Sequence, residues 1–189
     1  MFLLILGIVI FLGVHTISTL REQRAGLIGR FSENGFKAIY SIGALVGLLL
    51  IIYGYGAYRA GGYIPVWNAP FAMAYVAVPL MWVAFVALVA AYAPLGRIKS
   101  TLKHPMLVAV KIWALAHLLA NGDLGSMILF GSFLAWAVYD RISVKKRGDL
   151  GPPPASFGKG DWIAIGAGTA AWLFFFAFHN ALIGVRVLS

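Results

Sequence analysis

The chain has 189 residues, of which 61% are hydrophobic and only 11% charged, whereas a soluble domain is about half apolar and a quarter charged. A net charge of +9 would suggest nucleic acid in a soluble protein, but the bases fall between apolar runs, as membrane topology demands, so no nucleic-acid partner is expected. Cysteine is absent, which excludes disulfides, thiolate metal sites, iron–sulfur clusters and haem attached through Cys.

The apolar runs predict an all-α, polytopic transmembrane bundle of about six helices in the lipid bilayer, a single domain over residues 1–189. The spans fall at roughly 2–20, 38–58, 69–92, 105–120, 124–139 and 161–183. The first reads as a span and not a signal peptide, because no basic stretch precedes it and no small-residue cleavage pattern comes before Arg21. In span two, Gly43 and Gly47 form a seam of small residues that permits close helix approach, and Ala164 with Gly168 forms another in span six. Pro79 is expected to bend span three. Spans four and five, at sixteen residues each, rise about 24 Å against a hydrocarbon core of about 30 Å, so they need flanking residues or a thinned bilayer.

Charge sets the expected orientation. The loops 21–37, 93–104 and 140–160 carry twelve bases, while the opposite side has Arg59 and Arg186, and Lys111 lies inside span four. The positive-inside rule then places both termini on the non-cytoplasmic side of the membrane. Gly151-Pro152-Pro153-Pro154 reads as a stiff spacer, and Tyr63 with Trp67 as an interfacial aromatic belt.

Ionisable side chains are costly in a bilayer, so the four histidines and Lys111 are the candidate site residues. His117 shares a helical face with Trp113, Ala114, Ala120 and Asn121, an arrangement that suits either a flat ligand beside the alanines or a buried imidazole bonded to a carbonyl. His15 shares its face with Phe11, Leu12, Ser18 and Thr19, and reads equally as ligand or interfacial residue. His179 closes an aromatic run and reads first as a belt residue. His104 precedes Pro105 and is expected at a helix cap, where a hydrogen bond to Asp140 is its predicted structural role. Lys111 must pair, line a wet cavity or contact an anionic ligand. Membrane imidazoles with many aromatics and no cysteine fit a b-type haem, and suit a bare metal ion less, because depth-matched carboxylates are few.

His15-Thr16-Ile17-Ser18-Thr19-Leu20-Arg21, Lys103-His104-Pro105 and Trp113 with His117-Leu118-Leu119-Ala120-Asn121-Gly122-Asp123 resemble the NnrU family of bacterial membrane proteins. That family is similar to the plastid zeta-carotene isomerase, a membrane protein that uses haem b in a redox-dependent cis–trans isomerisation, and its name reflects an association with nitrite and nitric oxide reduction. The resemblance implies haem b as cofactor and His15 and His117 as axial ligands, with His104 in the motif but not the first choice as ligand; depth along the spans keeps His179 as the alternative partner of His117, and Trp113 and Lys111 are read from the residues as a wall and an anion contact of the group. The isomerase has a cysteine three residues before the histidine matching His117, where this chain has Ala114. The expected function is therefore a haem b-binding membrane protein, either an isomerase of an apolar polyene-like substrate or an accessory factor in nitrogen-oxide respiration. A small membrane methyltransferase and a non-catalytic assembly subunit are the alternatives.

Overall fold

A computed structural model describes residues 1–188, and among them seven α-helices and no strands. They are α1 Phe2–Thr19, α2 Arg21–Ala60, α3 Ala72–Tyr92, α4 Arg97–Leu102, α5 Pro105–Ala120, α6 Leu124–Lys146 and α7 Lys159–Ile183. Five of these (α1, α2, α3, α6 and α7) are long and apolar enough to cross a membrane. α5 is the shorter apolar helix, at 16 residues. The expected shortness of span five is corrected: α6 has 23 residues, because the helix continues beyond its apolar part through Asp140 and Arg141 to Lys146. Two predicted loops are also largely helical. Residues 21–37 belong to α2, and 93–104 contains α4.

The helices group into two compact units. The first comprises residues 1–67 and 123–136. Within it α1 and α2 run antiparallel and touch through glycines. A Cβ on Gly47 would lie 2.7 Å from the Phe11 amide nitrogen, one on Gly43 2.9 Å from Val14 Cγ1, and one on Gly7 2.6 Å from the Ile51 nitrogen. The predicted seam in span two is thus the surface on which α1 lies, and Gly54 extends it to the backbone of Leu3 and Leu4.

α2 is broken once. Ser32 has φ 63°, ψ 167°, a left-handed backbone that a residue with a Cβ adopts only under strain. Its hydroxyl accepts from the Gly35 amide at 3.3 Å, capping the segment that follows. The break turns the basic stretch 21–31 so that the Arg24 guanidinium lies 5.5 Å from the centre of the Phe36 ring.

The second unit comprises residues 68–122 and 137–188. α3 packs on α5 and α7. Ala164, Val86 and Ala90 are buried together, and Gly168 lies against the Val86 backbone, so the second predicted seam is the α3–α7 contact. Trp82 donates to the Thr169 hydroxyl at 2.9 Å and Trp172 to the Val78 carbonyl at 3.1 Å.

Asp161, only 1% exposed, ties three segments of this unit. Its carboxylate accepts from the amides of Arg97 (3.0 Å) and Ile98 (2.7 Å), which open α4, and from Gly158 (2.8 Å), which precedes α7. One side chain therefore caps two helix starts. Gly96 and Gly160 leave room for it: a Cβ at position 96 would lie 2.5 Å from Asp161 Oδ2, and one at 160 would strike the Pro94 carbonyl. Removing the carboxylate leaves three amides without their acceptor, at about 1–3 kcal/mol for an unsatisfied buried group. Asp161→Ala is expected to lower the thermal unfolding midpoint in detergent markedly, with Asp161→Asn intermediate because one oxygen acceptor remains.

Candidate functional site

Three of the four histidines lie within apolar helices, and each is held in the same way by a backbone carbonyl. In the first unit, His15 Nδ1 is 2.7 Å from the Phe11 carbonyl. In the second, His117 Nδ1 is 2.8 Å from the Trp113 carbonyl and His179 Nδ1 is 2.7 Å from the Val185 carbonyl. A carbonyl only accepts, so in each neutral ring the hydrogen sits on Nδ1 and the lone pair on Nε2. That tautomer leaves Nε2 as the acceptor nitrogen of the ring, while the carbonyl bond fixes the ring.

The surroundings of His15 are aromatic. Phe11 stacks on it at 4.2 Å between centroids, Tyr40 lies at 5.2 Å and Trp136 meets it edge-on at 5.8 Å. Trp136 Nε1 donates to the Thr16 hydroxyl at 3.1 Å, and that hydroxyl donates to the Leu12 carbonyl at 2.7 Å. Phe133 stands 5.5 Å from Phe11. Tyr40 and Trp136 come from α2 and α6, too far along the chain for α1's helical spacing to announce them.

His117 sits in the last turn of α5, half-buried, with the Trp113 ring 5.4 Å away. Ala114, on the same face, is fully buried. Asn121 closes the helix, its backbone N–H and its side-chain Nδ2 both donating to the His117 carbonyl at 2.9 and 2.8 Å. His117 and His179 belong to one unit.

The rest of the Asn121-Gly122-Asp123 turn serves α6 in the first unit. Asp123, 4% exposed, accepts from the Ser126 amide at 2.9 Å and from its hydroxyl at 2.6 Å. Since that hydroxyl's one hydrogen goes to the carboxylate, Tyr55 is the donor in the 2.7 Å contact between Tyr55 Oη and Ser126 Oγ. Arg59 lies 3.7 Å from the same carboxylate and over the Tyr63 ring at 5.4 Å. Asp123 thus acts as an N-cap with a cationic partner.

His104 is the N-cap residue of α5, with Pro105 at the first helical position, as expected. The expected hydrogen bond to Asp140 does not form: His104 Nε2 and Asp140 Oδ1 are both buried without a hydrogen-bond partner. Asp149 Oδ1 lies 3.9 Å from Nε2, and Arg147 lies 3.8 Å from Asp140 Oδ1. The reason lies in the backbone before α5. Lys103 has φ 62°, and Gly151 packs against it, so the following loop and not α6 supplies the nearest carboxylate. Lys99 is likewise engaged, donating to the carbonyls of Ala91 and Ala93 at 3.0 and 2.9 Å at the end of α3.

Among the described residues no three His, Cys, Asp or Glu side chains converge as a bare metal ion would need. With the histidine geometry in hand, comparison with known proteins places the chain: the NnrU protein family model matches residues 3–187.

The chain belongs to the NnrU family. No curated protein and no solved structure matches it.

Lys111 lies half-buried in α5 with no ion pair or hydrogen bond among the described residues. A lysine at the centre of a span costs about 2.5–3.5 kcal/mol on insertion scales. Lys111→Met is therefore expected to raise the thermal unfolding midpoint of the purified chain, whereas a midpoint that fell would mark Lys111 as bound to an anionic group.

Proposed function

We propose that this NnrU protein is a haem b-binding integral protein of the bacterial inner membrane, with His15 and His117 as axial ligands. The observation that carries the reading is the shared tautomer: each imidazole donates from Nδ1 to a backbone carbonyl, which leaves the lone pair on Nε2. The donor set fits the group, since neutral imidazole is a b-type haem ligand and no thiolate competes for the iron. The aromatic rings around His15 and the indole beside His117 supply flat apolar walls.

When bound, haem supplies a one-electron or Lewis-acid centre. The chain's own part is to hold the imidazoles and exclude water. The Phe11 and Trp113 carbonyls fix ring orientation and tautomer, Asn121 holds the end of α5 under His117, and Trp136 locks Thr16 one residue beyond His15. His179 is the alternative partner of His117, for it lies in the same unit and presents the same tautomer.

Of the two roles the resemblance implies, that of an accessory factor in nitrite and nitric oxide respiration is favoured over redox isomerisation of a polyene-like lipid. Position 114, where the similar isomerase has its exchanging cysteine, is a fully buried alanine that offers no ligand.

Protein purified after expression with ample haem is expected to show a Soret band that shifts on reduction. His117→Ala and His15→Ala should each lower haem occupancy at least about tenfold, while His104→Ala should retain the native spectrum. If His15→Ala kept that spectrum and His179→Ala lost it, His179 would replace His15 as the ligand; an absent Soret band would end the proposal.

The same reading places both termini on the non-cytoplasmic side, since twelve bases lie on one side of the spans. A C-terminal alkaline phosphatase fusion should then be active and a C-terminal green fluorescent protein fusion dark.

A further inference from the structure

The first unit contains a cavity that the histidine chemistry leaves unused. It lies at the basic border of the spans, has a volume of about 310 Å³, and is lined by Ser18, Arg24, Phe36, Lys37, Tyr40 and Ser41. That size is at the lower end for small-molecule pockets. Two cations and three hydroxyls meet there beside two aromatic rings, Phe36 and Tyr40, a donor-rich lining suited to the oxygens of an anion.

The break at Ser32 builds this cavity. Without the left-handed residue at position 32, the stretch carrying Arg24 would continue along the axis of α2 and could not fold back over Phe36. Strain of this kind persists where the surrounding structure holds it. Tyr40 also interacts with Ser18, so α1 and α2 meet across the floor of the cavity. The carboxylate of Glu33 pairs with Lys37 at 2.8 Å, both side chains more than 60% exposed. An exposed pair of this kind is weak and yields readily to another anion. With Glu33 counted, the two bases leave a net charge of about +1, which complements a singly charged phosphodiester.

What joins the cavity to a lipid and not to a free ion is the surface beyond it. Continuing from Lys37 and Ser41 at helical spacing, Leu45 (56% exposed), Leu48 (42%) and Ile52 (61%) form an outward apolar stripe along α2. A polar pocket at the membrane border that opens onto such a stripe matches an amphiphile with a charged head and acyl tails. Basic pockets between membrane helices bind anionic headgroups in this way.

We propose that the cavity between α1 and the broken α2 is a headgroup site for an anionic phospholipid, with Arg24 and Lys37 on the phosphate and the acyl chains along Leu45, Leu48 and Ile52. The cavity shares Tyr40 with the aromatic wall around His15, but its two cations take no part in holding haem, and the proposal does not rest on haem being bound.

The test is native mass spectrometry of the full chain in detergent, titrated with phosphatidylglycerol or with phosphatidylcholine of the same acyl chains. The wild-type chain should retain one phosphatidylglycerol at least tenfold more strongly than phosphatidylcholine. Arg24→Gln with Lys37→Gln should abolish that preference, while Arg21→Gln with Arg30→Gln, which removes equal charge outside the cavity, should leave it within twofold. Should the first pair disturb folding, seen as a lowered thermal midpoint, Ser41→Trp fills the cavity from an exposed position and must also remove the preference. Equal retention of the two lipids, equal loss in both charge pairs, or release of the lipid by millimolar inorganic phosphate would each overturn the proposal.

Discussion

A backbone in hydrocarbon has no water to turn to, so wherever a helix is interrupted the protein must itself supply the missing partners. Asp161 meets that constraint most completely: its two oxygens take the amides that open α4 together with the one that precedes α7. The other breaks are met by the same means. Ser32 caps the second part of α2, Asn121 closes α5, Asp123 opens α6 and Lys99 takes two carbonyls at the end of α3. Polar residues in this greasy chain are thus concentrated at helix ends, where they hold the interruptions in place.

Between the breaks the helices approach through absent side chains. Gly7, Gly43, Gly47 and Gly54 bring α1 onto α2, and Gly168 brings α7 onto α3. The bulky residues are displaced outward, as at Phe174, Phe175, Phe176 and Phe178 on α7, all of them exposed. In lipid this division is favourable, because tails solvate large apolar side chains as well as a protein core does, and close backbone contact supplies the packing energy instead. The histidines benefit from the resulting rigidity. Each is fixed by a carbonyl of its own unit, and the helices that carry His15 and His179 are packed through glycines.

Charge follows the same economy. Arg59 is placed against Asp123, Lys99 against carbonyls and Arg147 beside Asp140, while Arg24 and Lys37 face a cavity at the border. Lys111 is the exception, and it lies on α5, the shortest of the apolar helices.

The residues alone determine that this is a helical membrane protein of the NnrU family, where most of its helices lie, which small residues form the seams and which histidines fall within apolar spans. Apolar run length, small-residue spacing and the cost of a buried imidazole are local properties, and the chain states them directly. The folded structure decides the rest: that Tyr40 and Trp136 enclose His15, that Asp161 caps two helices, that Ser32 folds a predicted loop into a basic segment over Phe36, and that Asp149, not Asp140, comes nearest His104. Each of these depends on residues from distant parts of the chain meeting, or on one residue adopting a backbone angle that its neighbours do not reveal. The reason is that periodicity records which face of a helix is apolar, whereas the partner of that face is chosen only when backbones close to contact distance.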